Sequence, residues 1–203
     1  VNTHRRKAPE GGLSCGAAQQ HRTRGIERGA GGASLRPPSG RRSFVSLGSN
    51  LGDREESLRA AREALSALPA TDIVAASRVY ETAPQDLGDQ DAFLNQVVCL
   101  ETGLQPRDLL YECQRIEREH GRVRTLRFGP RTLDIDILLF QDEESDDPEL
   151  TLPHPRMVKR AFVIVPLAEV WGHARGMPDI DVAGLGESLA RQQRVRLYDA
   201  TEG

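Results

Sequence analysis

A chain of 203 residues, 38% of them hydrophobic, is long enough to bury one core of ordinary size and leaves little room for a second catalytic domain. The net charge of −3 hides a basic first stretch and an acidic remainder whose cations gather between Arg115 and Arg160, which suggests a local anion site and not a broad nucleic-acid surface. No apolar run approaches a membrane span, the N-terminus lacks the apolar block of a secretory signal, and Cys15, Cys99 and Cys113 read as thiols of a reducing compartment, so a soluble cytoplasmic protein is expected.

Residues 1–43 are rich in Gly, Arg and Ser, with almost no large apolar residue, and disorder is expected there. An organelle transit peptide, or a region translated upstream of the true start, are the alternatives that composition leaves open. The ordered domain is expected over 44–203. Phe44-Val45-Ser46-Leu47 predicts a strand that stops at Gly48-Ser49-Asn50, and Asp53 with Glu56 predicts a capping box at the head of a helix. Leu58, Ala61, Leu65 and Leu68 share one face of that helix until Pro69 ends the run.

A second strand is predicted from Ile73 to Tyr80, then a long loop from Thr82 to Asp91, then a third strand from Phe93 to Leu100. Pro106 opens a second helix with Leu109, Leu110, Cys113 and Ile116 inward, and Gly121 is its expected stop. A cationic loop from Gly121 to Arg131 leads into a strand from Leu133 to Phe140. Strand, helix, strand, strand, helix, strand is the order of an α+β, ferredoxin-like split β-α-β domain. An irregular tail, with one more helix near Gly186 to Gln192, is expected after it.

In Leu133-Asp134-Ile135-Asp136-Ile137 the period of two puts both carboxylates on one strand face, about 6.5–7 Å apart by the rise per residue. They read equally well as ligands of a hard cation or as the solvated side of an edge strand. Arg122, Arg124, Arg127 and Arg131 just before them favour the first reading, because guanidinium forks beside carboxylates suit a polyphosphate bridged by metal. Leu152-Pro153-His154-Pro155-Arg156 adds a histidine that residue type alone would leave structural, and the Gly48 to Gly52 turn is explained by capping. Phe93, Asn95 and Phe128 are candidates to hold a flat heterocycle, Phe93 being first a core residue.

Together, Gly48-Ser49-Asn50-Leu51, Phe93-Leu94-Asn95, Gln114-Arg115-Ile116-Glu117, Gly121-Arg122-Val123-Arg124, Arg127-Phe128-Gly129-Pro130-Arg131-Thr132-Leu133-Asp134-Ile135-Asp136 and Leu152-Pro153-His154-Pro155-Arg156 resemble the hydroxymethyldihydropterin pyrophosphokinase family, over about 44–170. The resemblance implies a single ferredoxin-like domain with a three-layer extension, ATP as co-substrate and two Mg2+ ions held by Asp134 and Asp136. It implies that Arg122 and Arg131 contact phosphates, that Arg124 lies on a closing loop, and that Gln114, Glu117, Thr151, His154 and Arg160 stand on the nucleotide side. Thr82, Phe93, Asn95, Phe128 and Phe162 would stand on the pterin side. Phe128 replaces a frequent Trp and Ala83 a frequent Pro, and neither change removes a charge. A monomer acting on small molecules, without nucleic acid or membrane, is the expected state. An RNA-recognition module is disfavoured because neither Phe44-Val45-Ser46-Leu47 nor Phe93 to Leu100 carries its aromatic signature. A regulatory ligand-binding domain of the same fold would not need two strand aspartates beside four arginines.

Overall fold

The computed structural model describes Val1 and residues 40–83, 92–121 and 131–200. The chain divides into Val1–Ser34, of which only Val1 is described, and Leu35–Gly203, which carries everything below.

The centre of the sheet is made by β1 (Arg41–Ser49) and β4 (Phe93–Thr102), antiparallel from Arg41 opposite Thr102 to Ser49 opposite Leu94. On the outer side of β1 runs β5 (Asp134–Phe140), also antiparallel, as one edge of the sheet. On the other side of β4 lie β2 (Thr71–Ala76) and β3 (Tyr80–Thr82), so the single strand expected from Ile73 to Tyr80 is in fact two. Ser77 makes the break: its hydroxyl accepts from the Val97 amide at 3.0 Å, and its own amide donates to the Val97 carbonyl at 2.9 Å. A side chain that takes a ladder position interrupts the regular pairing.

Two helices cover one face. α1 (Arg54–Ser66) is capped by Asp53, whose carboxylate accepts from the Glu56 amide at 2.9 Å. The capping box is only half made, because the Glu56 carboxylate is engaged by Arg59 instead. α2 (Pro106–Glu119) starts on its proline and is followed by Gly121 at φ +76°, a backbone state that glycine enters without a Cβ penalty. Leu58, Ala61 and Leu65 from α1 and Leu109, Cys113 and Ile116 from α2 bury against Val45, Leu47, Leu94, Val98, Ile135 and Ile137.

The tail is more regular than expected. α3 (Ala161–Val170) and α4 (Val182–Gln192) cover the opposite face, where Val163, Ile164, Leu167 and Val182 pack on Phe44, Val97, Cys99 and Leu138. α3 is apolar nearly all round and holds Pro166, so no amphipathic period marks it in the sequence. β6 (Ser145–Asp147) and β7 (Leu150–Leu152) form a hairpin after β5, and β8 (Val195–Leu197) adds a strand outside β3. The result is a mixed α/β domain of helices, sheet and helices in three layers. Among the described residues no helix is long and apolar enough to cross a membrane.

Candidate active site

Residues directly opposite one another in an antiparallel sheet share a face, and this rule assembles the site. Gly48 stands opposite Asn95 on one side and Asp134 on the other, while Ser46 stands opposite Val97 and Asp136. Tyr80 continues the first row beyond Asn95, and Thr82 stands opposite Phe93. Asp134, Asp136, Asn95, Phe93 and Thr82 therefore lie on one face of the sheet, the face that α3 and α4 cover elsewhere. Glycine at 48 keeps the middle of the row open: a Cβ there would come within 3.6 Å of Asn95 Oδ1 and 3.9 Å of Asp134 Cβ.

The amide side of this row is tightly held. Asn95 is buried, and its Nδ2 donates to Thr82 Oγ1 at 3.0 Å and to the Phe93 carbonyl at 3.4 Å. With its nitrogen tied towards Thr82, Asn95 presents its carbonyl oxygen towards the space over Gly48. Phe93 is half-buried beside it.

The carboxylate side is charged. Arg131 Nη1 donates to Asp134 Oδ2 at 2.6 Å, and Arg160 lies 3.9 Å from Asp136 Oδ2, an ion pair too long for a hydrogen bond. Asn50, almost fully buried, fixes the main chain of Arg131: Asn50 Oδ1 accepts from the Arg131 amide at 2.7 Å, and the Asn50 amide donates to the Arg131 carbonyl at 3.1 Å. The Arg160 guanidinium also sits 5.4 Å from the centroid of the half-buried Phe162 ring. Burial, then repulsion from Arg156, lowers the Arg160 pKa, while Asp136 and Asp134 pull the other way.

His154 belongs to the same cluster. Burial first, then the charges of Arg160 and Arg156, push its pKa down to about 4, so the imidazole is neutral near pH 7. Its Nδ1 accepts from the Arg156 amide at 3.3 Å, which leaves the proton on Nε2, and its own amide donates to the Leu138 carbonyl at 2.8 Å. A neutral donor beside guanidinium groups can hydrogen-bond a phosphate oxygen without adding repulsion among the cations.

Other expected residues stand apart from this face. Glu117, with 2% of its surface exposed, reaches from α2 to the outer edge of β5, where its Oε1 accepts from the Ile135 amide at 2.7 Å. It holds the strand between the two aspartates. Gln114 is half-buried one turn earlier on α2. Thr151 is half-buried on β7, and its hydroxyl donates to the Asp147 carbonyl at 3.0 Å. Arg122, Arg124 and Phe128 lie outside the described residues. No local signal in the sequence marks the roles of Gly48 and Asn50, because a strand-to-helix turn accounts for both and only the register of β5 brings them to the site.

Among the described residues no group of three or more His, Cys, Asp or Glu side chains could hold a metal. Two carboxylates on a partly exposed strand face fit magnesium nonetheless, since that ion is usually held by one or two carboxylates together with water and substrate phosphates.

Residues 44–172 match the family model of 7,8-dihydro-6-hydroxymethylpterin-pyrophosphokinase (HPPK). The chain is 49% identical over 138 residues to a 2-amino-4-hydroxy-6-hydroxymethyldihydropteridine pyrophosphokinase of Pseudomonas aeruginosa, covering 68% of this chain and 85% of that protein. It is 43% identical over 152 residues to the protein of the same name from Methylorubrum extorquens, covering 74% and 92%. Among solved structures, the wild-type HPPK-DHPS of Plasmodium falciparum superposes with a TM-score of 0.55 at 14% identity, over 75% of this chain and 45% of that one. At that identity the superposition speaks for the fold alone.

Proposed function

The chain belongs to the 7,8-dihydro-6-hydroxymethylpterin-pyrophosphokinase family, and we propose that the sheet face shared by Asp134, Asp136 and Asn95 is where it works. The enzyme transfers a pyrophosphoryl group from ATP to the hydroxymethyl group of 6-hydroxymethyl-7,8-dihydropterin, in the synthesis of tetrahydrofolate. The substrate oxygen bonds to the β-phosphorus, the bond from that phosphorus to the α,β-bridging oxygen breaks, and AMP leaves with the electron pair. The hydroxyl proton is lost to solvent or to a phosphate oxygen.

The observation that carries this placement is the row Asp134, Gly48, Asn95, in which a carboxylate and a buried, oriented amide flank a glycine. Asn95 reads the polar edge of the pterin, with Thr82 fixing its orientation and Phe93 and Phe162 offering apolar faces. Phe128 would add to those faces. Arg131 and Arg160, now paired with Asp134 and Asp136, turn to phosphate oxygens when ATP is present, joined by Arg122 and by Arg124. Guanidinium forks gain by that exchange because phosphate offers them bidentate acceptors. His154 donates through Nε2, while Gln114, Glu117 and Thr151 complete the nucleotide side, Glu117 through its hold on Ile135.

Asp134 and Asp136 would hold two magnesium ions, which neutralise charge on the transferred group when bound. Most of the catalytic effect in such transfers is positioning and charge neutralisation, which is what an ordered amide facing a charged strand supplies. We further place the protein in the cytoplasm as a monomer without a nucleic-acid partner, its catalytic domain running to 203 from the start of β1 at Arg41, inside the stretch expected to be disordered and three residues before the expected 44.

AMP release from magnesium and ATP, followed with and without 6-hydroxymethyl-7,8-dihydropterin, tests the reading. AMP is expected only with the pterin, in step with the pyrophosphorylated product. Formation of ADP, or AMP at an equal rate without pterin, would overturn it.

A further inference from the structure

On the face of the sheet opposite Asn95, a three-residue ionic clamp closes the neck of the segment that separates β3 from β4. Glu81 lies opposite Leu94 and so points away from the pterin side, towards α1. Its side chain is only 10% exposed, and both of its oxygens are engaged. Arg54, the first residue of α1, donates from Nη1 to Glu81 Oε1 at 3.0 Å, and Arg196 of β8 donates from Nε to Glu81 Oε2 at 2.8 Å. The same Arg54 nitrogen also donates to the carbonyl of Ala92 at 2.7 Å.

The placement of these bonds in the chain gives them their meaning. Glu81 immediately precedes Thr82, and Ala92 immediately precedes Phe93, so one guanidinium ties together both ends of the intervening segment. The ladder between β3 and β4 ends at the Thr82 and Phe93 pair, and the Ala92 carbonyl lies just beyond it. A cation at the first position of a helix opposes the helix dipole, so Arg54 does not serve α1 itself. Arg196 comes from a strand beyond residues 44–172, which the family model matches.

We propose that Arg54, Glu81 and Arg196 are positioning residues for the pterin, fixing the separation of Thr82 and Phe93 from the back of the sheet without touching substrate. The inference rests on the pterin side being where the proposed function puts it. A clamp of this kind acts on one substrate only, since ATP is held at the far edge, by β5.

Steady-state kinetics of the full-length chain, with dihydropterin and ATP varied separately, test it against melting temperature. Arg54→Ala is expected to raise KM for the pterin about 5- to 20-fold and to leave KM for ATP within about twofold. Glu81→Gln, which keeps the volume of the side chain, and Arg196→Ala should shift the same constant less, and Arg54→Lys should recover part of the loss. The double variant Arg54→Ala with Glu81→Gln should be little worse than Arg54→Ala alone, because the residues act as a unit. Equal changes in both KM values that track a fall in Tm would overturn the clamp, as would normal pterin KM in Arg54→Ala and Glu81→Gln. Asn95→Ala separates the two levels: if it raises the pterin KM while the clamp variants are normal, only the clamp falls. If Asn95→Ala leaves that constant unchanged, the placement of the pterin falls and the clamp with it.

Discussion

The two ends of the site are held together by different physics. At the amide end, Asn95 and Thr82 are buried and joined at 3.0 Å, with Tyr80 in the same row donating to Glu169 of α3 at 2.7 Å. At the carboxylate end, Arg131 donates to Asp134 at 2.6 Å, and Asp136 is 41% exposed with Arg160 at 3.9 Å, so the partners are charged and nearer to solvent. A neutral heterocycle offers little energy to reorganise a pocket, so its hydrogen bonds are best prepared in advance. A polyphosphate brings enough charge to replace existing ion pairs, so that end can be held by exchangeable ion pairs until it arrives.

The largest expected effect tests the charged end. Asp134→Asn and Asp136→Asn should each lower turnover by about two or more orders of magnitude, because as the proposed magnesium ligands they would supply charge neutralisation in the transition state. The double variant should be barely worse than either one, since groups that act as a unit are strongly non-additive. AMP release measured against magnesium concentration for all three variants decides this. Near-normal turnover in either single variant would return the pair to a solvated edge strand and remove the contrast between the two ends.

Part of this contrast is legible in the sequence. A period of two placed Asp134 and Asp136 on one face, and apolar spacing placed Leu58, Ala61 and Leu65 in the core, because both follow from local geometry. What was not legible depended on pairing between distant segments. Ser77 breaks a strand only because Val97 lies across from it, and Asn50 matters only because β5 brings Arg131 alongside. α3 is hidden in the sequence for another reason: a helix buried on nearly every side has no polar stripe to betray its period. The half-made capping box at Glu56 shows a local signal outbid by an arginine one turn along.

A smaller effect is expected from Gly48→Ala, which probes the space where the two ends meet. The new methyl would sit in ordinary contact with Asn95 and Asp134, at 3.6 and 3.9 Å, and Gly48 does not need a left-handed backbone. Stability should therefore stay within about 1 kcal/mol of the wild type, as for other substitutions made without strain. Turnover should fall about tenfold or more, because in the proposed placement the methyl would occupy the gap that the hydroxymethyl arm would cross to reach a phosphate. Thermal melts beside kcat for the same preparation separate the two quantities. Unaltered kcat would mean that the reacting groups meet elsewhere.

The smallest expected effect concerns how the amide end keeps its shape, and it is one of pH. The carboxyls of Glu81 and Glu169 are both held below their ordinary value of 4.5. In each case burial is the largest influence and pushes upwards, but it is outweighed by hydrogen bonds, from Arg196 and Arg54 at Glu81 and from Arg78 and Tyr80 at Glu169. The unfolded chain therefore takes up protons at these groups at higher pH than the folded chain does. Their contribution to stability is complete above 4.5 and is lost as pH falls through that value towards the lower folded one. Glu81→Gln removes one such group, so wild type should melt above the variant at about pH 6, with the gap narrowing by about pH 3.5. A gap that stays constant over that range would mean that Glu81 contributes through shape and not through charge. The back of the amide end would then be held by packing, and the difference between the two ends would lie in burial alone.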